Sequence, residues 1–96
     1  MIKKQYLKSR PVCKVTFSLP ADKGISKAEV AGDFNDWQPA SMEQLKSGGF
    51  KVVLELEQGN AYQFRYLLDG NEWINDANAD NYVPNPFSSE NSVIAV

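Results

Sequence analysis

The sequence predicts an all-β fold, a β-sandwich of about six to seven short antiparallel strands, on three observations. Apolar residues recur with a period of two in several segments, the pattern of a strand with one buried face. Clusters of Gly, Pro, Asn and Asp interrupt those segments at short intervals. Helical periodicity is nearly absent.

Val15, Phe17 and Leu19 mark the first strand of the body, which ends at the turn Pro20-Ala21-Asp22-Lys23-Gly24. Ala28 and Val30 mark the next, closing at Gly32. The clearest strand follows Gly48-Gly49: Phe50, Val52, Leu54 and Leu56 point one way, and Lys51, Val53, Glu55 and Glu57 the other. After Gln58-Gly59-Asn60, Tyr62, Phe64, Tyr66 and Leu68 alternate with Gln63, Arg65 and Leu67, and this strand is expected to pair with the preceding one as a hairpin. A short strand around Glu72 to Asn75, a turn-rich stretch reaching Asn91, and a last strand over Val93-Ile94-Ala95-Val96 complete the chain. Phe17, Val30, Val52, Leu54, Phe64, Tyr66, Ile74 and Ile94 are the expected core.

The turn at Asp69-Gly70 has two candidate registers, and register decides which residues share a face. A two-residue loop pairs Tyr66 with Trp73, which buries the indole and lifts Ile74 outward. A three-residue Asp69-Gly70-Asn71 loop pairs Leu68 with Glu72, Leu67 with Trp73, Tyr66 with Ile74 and Arg65 with Asn75. The second is preferred because it keeps Ile74 in the core. It also places Arg65, Trp73 and Asn75 on one outer surface.

A chain of 96 residues suffices for one domain that buries roughly 60–65% of its unfolded surface without disulfides or metal. No apolar run approaches the roughly 18 residues of a membrane span, and Met1 to Lys8 is too polar for a secretory leader, so a cytoplasmic protein without membrane contact is expected. The single Cys13 has no disulfide partner and reads as a small buried strand residue. The absence of histidine excludes an imidazole base.

Net charge is only −2, but residues 1–14 hold Lys3, Lys4, Lys8, Arg10 and Lys14 with no acid. The other five basic residues share the rest of the chain with all twelve acids, which argues against nucleic-acid binding by the body. Residues 1–11 are therefore expected to form a basic arm or edge segment packed along an acidic body, residues 12–96. Tyr6 and Leu7 supply the arm's apolar grip and Pro11 suits an edge position.

Trp37, in Gly32-Asp33-Phe34-Asn35-Asp36-Trp37, and Trp73, in Asp69-Gly70-Asn71-Glu72-Trp73, both sit among turn formers rather than in apolar runs. Exposed indoles with polar neighbours suit a flat ligand rimmed by hydroxyls: the ring covers the C–H face of a sugar while Arg65 and Asn75 donate to its hydroxyls. From residues alone the alternative stands that one indole is core and the other anchors a loop.

Three ordered segments carry a resemblance. Val30-Ala31-Gly32-Asp33-Phe34-Asn35-Asp36-Trp37, Tyr62-Gln63-Phe64-Arg65-Tyr66-Leu67-Leu68-Asp69-Gly70 with Trp73, and Asn91-Ser92-Val93-Ile94-Ala95-Val96 resemble the glycogen-binding, isoamylase N-terminal type of carbohydrate-binding module over residues 12–96. This module occurs in the β subunit of AMP-activated protein kinase and beside the catalytic domains of branching and debranching enzymes. The resemblance implies an immunoglobulin-like (early set) sandwich that binds α-linked glucans, glycogen or starch oligosaccharides, without cofactor. It further implies that Trp37 and Trp73 are the stacking rings, that Arg65 stands where glycogen-binding members have lysine, that Asn91 is the hydroxyl-binding asparagine, and that Phe87 lies near a leucine resting against the sugar. Arginine for lysine lengthens and flattens the donor, and the Asp69 to Glu72 loop is one residue longer than in those members. Some members serve as structural adjuncts, so the rival expectation is a protein-interaction module docking onto a glycogen-metabolising enzyme or kinase.

Other constellations are weak. Asp76-Ala77-Asn78-Ala79-Asp80 opens like a calcium loop, but Asn81 replaces the required glycine and Phe87 the terminal glutamate, so no metal site is expected. A small sandwich without large loops offers no deep cleft to raise the pKa of an acid, so no catalytic residues are expected among the twelve carboxylates.

Overall fold

The computed structural model describes residues 2–22, 24–86 and 89–96. Among them are ten strands: β1 Ile2–Tyr6, β2 Val12–Leu19, β3 Ala28–Gly32, β4 Ala40–Ser41, β5 Glu43–Gln44, β6 Phe50–Glu57, β7 Ala61–Leu68, β8 Glu72–Ile74, β9 Asn81–Pro84 and β10 Glu90–Ala95. One antiparallel sheet has the order β1-β2-β6-β5, and the other runs β4-β3-β7-β10-β9 with β8 also paired to β7. The fold is an all-β sandwich. The count exceeds the expected six to seven because β4 and β5 are too short to leave an alternating pattern and β9 lies among Asp, Asn and Pro.

Alternation holds where it was clearest. Phe17, Val30, Phe64, Tyr66 and Ile94 are fully buried, joined by Cys13, Val15, Ala28, Phe50, Leu56 and Leu68. Phe64 is the aromatic hub: its ring centroid lies 5.2 Å from Phe17 and 5.7 Å from Tyr66, both edge-on, which is the arrangement the ring quadrupole favours. Three expected core residues, Val52, Leu54 and Ile74, are only half-buried. Among the described residues, β6 is paired beyond β2 only at Phe50 and Lys51, by the two-residue β5, so its middle lies at a sheet margin, and β8 is a three-residue strand paired only to β7.

The expected hairpin between the strands flanking Gln58-Gly59-Asn60 does not form. β6 pairs with β2 and β5, whereas β7 pairs with β3, β8 and β10 in the other sheet. The turn is a corner between sheets. Gln58 N donates to Pro11 O at 2.9 Å, Gly59 N to Val96 O at 2.9 Å and Val96 N to Asn60 O at 2.9 Å, so the corner is tied to neighbours in both layers. Gly59 holds a φ of 84°, which favours glycine. Alternation identifies the inward face of a strand, but strands side by side and strands face to face show the same pattern.

Strand β1 pairs with β2, Lys4 opposite Val15 and Tyr6 opposite Cys13. Lys4 thus lies on the inward face of an edge strand, a position that discourages further strand pairing. Its Nζ crosses to the other sheet and donates to Asp80 Oδ2 at 2.7 Å and to Ala95 O at 2.8 Å. Burial pushes the Asp80 carboxyl upward, but the Lys4 hydrogen bond, the Ala95 N–H and the lysine charge outweigh it and hold the group below its usual range.

Two outcomes follow for stability. Phe64→Ala removes the ring that touches both layers and should cost about 3–5 kcal/mol in urea unfolding. Lys4→Met should lower stability at pH 7. A depressed carboxylate stabilises the fold above its unfolded pKa of about 3.9 and loses that contribution as pH falls through the folded value. The difference between Lys4→Met and wild type should therefore shrink below about pH 4, as read from urea midpoints at a series of pH values.

Candidate functional site

The outer face of the second sheet carries a cleft of about 450 Å³ lined by Trp37, Arg65, Trp73, Asn85, Pro86 and Asn91.

Trp73 stands on β8. The observed pairs Leu68–Glu72, Leu67–Trp73 and Tyr66–Ile74 are those of the three-residue loop, and they send the indole outward, 41% exposed. Asp69 and Gly70 take φ of 50° and 75°, and Asn71 N donates to Leu68 O at 3.1 Å. The Asp69 carboxylate accepts Ser26 N at 3.0 Å, Ser26 Oγ at 2.9 Å and Lys27 N at 2.9 Å. These bonds, Ser26 N first, hold the carboxyl below its usual range and staple the turn to the segment before β3.

Trp37 lies outside the sheets. A 3₁₀ turn over Asp33–Asn35 leads into Asp36 and Trp37, which take φ of 55° and 59°. Two successive left-handed residues other than glycine cost roughly 1–2 kcal/mol each. Several bonds hold them: Trp37 N donates to Gly32 O at 2.9 Å, Gln38 N to Asn35 O at 3.1 Å, and Trp37 Nε1 to Asp33 Oδ1 at 2.9 Å. Gly32 is required for another reason. Its backbone is extended, but a Cβ there would collide with Gln63 O and Phe64 Cβ on β7.

Arg65 projects from β7 on the same face as Trp73, and its Nη2 donates to Trp73 O at 3.3 Å. Its Nε is buried with no hydrogen-bond partner among the described residues. Asn91, on β10 opposite Val83, donates from Nδ2 to Gln63 Oε1 at 3.0 Å and accepts from Asn85 Nδ2 at 3.2 Å. Among the described residues, Arg65 is the one charged residue in the lining.

Four of the sequence-derived candidates, Trp37, Arg65, Trp73 and Asn91, thus meet at one cleft. Asn75 does not. β8 ends at Ile74, and the Asn75 amide turns toward β10, donating to Glu90 O at 2.9 Å and accepting Ser92 Oγ at 2.9 Å. Phe87 lies outside the described residues. Asn85 and Pro86 line the cleft without having been singled out as site residues. Pro84-Asn85-Pro86 signals a stiff turn, but nothing local says which way it faces. In the segment resembling a calcium loop, Asp76 is buried and accepts Tyr66 Oη at 2.6 Å and Asn78 N at 2.7 Å, while Asp80 is engaged by Lys4.

The fold is shared with longer enzymes. An enterobactin esterase from Shigella flexneri, solved in the presence of 2,3-di-hydroxy-N-benzoyl-serine, superposes with a TM-score of 0.79 at 12% identity over 99% of this chain and 32% of its own. The ferric enterobactin esterase from Salmonella typhimurium gives 0.78 at 10% identity, over 99% of this chain and 34% of its own. This chain therefore spans about a third of the length of these solved structures, and at such identities the likeness is one of fold alone. No curated protein matches the sequence. The profile of the family described as the glycogen recognition site of AMP-activated protein kinase matches residues 13–96, and the chain belongs to that family.

Proposed function

We propose that this chain is a non-catalytic module that binds α-linked glucans, such as glycogen or starch oligosaccharides, by stacking sugar rings on Trp37 and Trp73. The observation that carries the reading is the convergence of two indoles from separate segments on one open cleft with Arg65 and Asn91. A pyranose offers an apolar C–H face and a rim of hydroxyls. The indoles cover the first, while the Arg65 guanidinium and the Asn91 amide serve the second. Membership of a glycogen-recognition family supports the same ligand class.

Stacking one sugar on one indole removes about 50 Å² of apolar surface per partner, worth on the order of 1–2 kcal/mol. Two rings and a few hydroxyl bonds made in competition with water give dissociation constants of about micromolar to millimolar. Because the ligand is neutral, affinity should change little between low and high salt.

Isothermal titration with a linear α-1,4-glucan oligomer tests the scheme. Trp73→Ala should abolish measurable binding, and Trp37→Ala should weaken it about tenfold, equivalent to about 1.4 kcal/mol. Arg65→Lys should be milder than Arg65→Ala because it keeps a donor. Undiminished binding by the double Trp variant, or no binding by the folded wild type, would leave docking onto a glycogen-metabolising enzyme or kinase as the better account.

A further inference from the structure

We propose that Asp33 is the positioning residue of this site: its carboxylate locks the Trp37 indole to β7 in the orientation that receives the glucan. The inference rests on the glucan-binding reading above. Trp37 is the second of two left-handed residues that follow a single 3₁₀ turn and belongs to no strand, so sheet pairing does not hold its ring. Asp33 does. Its Oδ1 accepts the indole Nε1–H at 2.9 Å and its Oδ2 accepts the backbone N–H of Gln63 at 2.9 Å.

The chemistry of the clamp selects a carboxylate. Both of its ends must accept from N–H donors, and an ionised Asp accepts at both oxygens. Asparagine in the same place accepts at one end and turns an amide N–H₂ toward a donor at the other. The clamp also continues across the face of the site. The side chain of Gln63 accepts Asn91 Nδ2 at 3.0 Å, and Asn91 accepts Asn85 Nδ2 at 3.2 Å. Residues far apart in sequence, Asp33 and Trp37 on one side and Asn85 and Asn91 on the other, are thereby tied through Gln63 of β7.

Asp33 is itself exposed and is not in the cleft lining, so it acts through Trp37. It also separates the roles of the two indoles. The Trp37 N–H is spent on the clamp, so that ring meets a ligand with its face. Trp73 Nε1 makes no hydrogen bond among the described residues and remains available to a hydroxyl.

The test reads the indole before it reads the ligand. In a Trp73→Phe background Trp37 is the sole tryptophan. Adding Asp33→Asn should raise its acrylamide quenching about twofold and lower its fluorescence anisotropy, without ligand. In a Trp37→Phe background, where Trp73 is the sole tryptophan, Asp33→Asn should leave both quantities unchanged, which a general loosening of the fold would not.

In the otherwise wild-type chain, Asp33→Asn should weaken binding of a linear α-1,4-glucan oligomer about tenfold. If that variant does not fold, Asp33→Ser, which still offers one acceptor, carries the same comparisons. An indole held as rigidly without the carboxylate, or a loosened indole with wild-type glucan affinity, overturns the proposal. Failure of the wild type to bind glucan removes the glucan reading instead, and the fluorescence comparison still decides whether Asp33 holds Trp37.

Discussion

A strand must send successive side chains to opposite faces, and in β7 this constraint links the core to the site. Phe64, Tyr66 and Leu68 point into the sandwich and are buried, while Gln63 and Arg65 point outward among the groups around the cleft. β7 is paired on one side by β3 and on the other by β10 and β8. Its outward residues therefore meet a neighbour from each flank: the Gly32–Trp37 segment, Asn91 and Trp73. A one-residue slip of β7 would exchange the core and cleft faces together.

A polar network inside the sandwich must also be satisfied. Asp76 is buried and accepts Tyr66 Oη, Asp76 N donates to Ser92 Oγ, and that hydroxyl donates to Asn75 Oδ1. Tyr82 Oη donates to Asp76 O. Burial, then the Asp76 hydrogen bond and its charge, push the Tyr66 phenol far above its ordinary range, so it remains a donor across accessible pH. Networks of this kind specify one arrangement, because leaving a buried donor or acceptor without a partner costs about 1–3 kcal/mol. Here the arrangement joins the segment that follows Trp73 to β10, which bears Asn91.

Among the described residues, Arg65 is the one charged member of the cleft lining, which has two aromatic walls. Such a surface suits the neutral polyhydroxylated ligand proposed above, since it offers apolar area and a few donors rather than a concentrated field. The strained residues Asp36 and Trp37 lie at its edge, as expected where a side chain must be held away from the relaxed backbone path.

Much of this was legible in the sequence. Period-two alternation identified β2, β3, β6, β7 and β10 and the inward face of each, because alternation is a local property of the extended chain. The single choice of keeping Ile74 inward yielded the β7–β8 register and hence the outward Trp73. What sequence patterns could not decide was which strands lie side by side, and the β6–β7 corner was misread as a hairpin for that reason. Partner choice depends on hydrogen bonds to distant segments, here Pro11 and Val96, which leave no local trace. The same limit hid Asn85 and Pro86, turned Asn75 away from the cleft, and concealed the two-ended role of Asp33, whose second partner lies thirty residues along the chain. Local chemistry determined the faces of the strands, whereas only tertiary pairing decided which faces met.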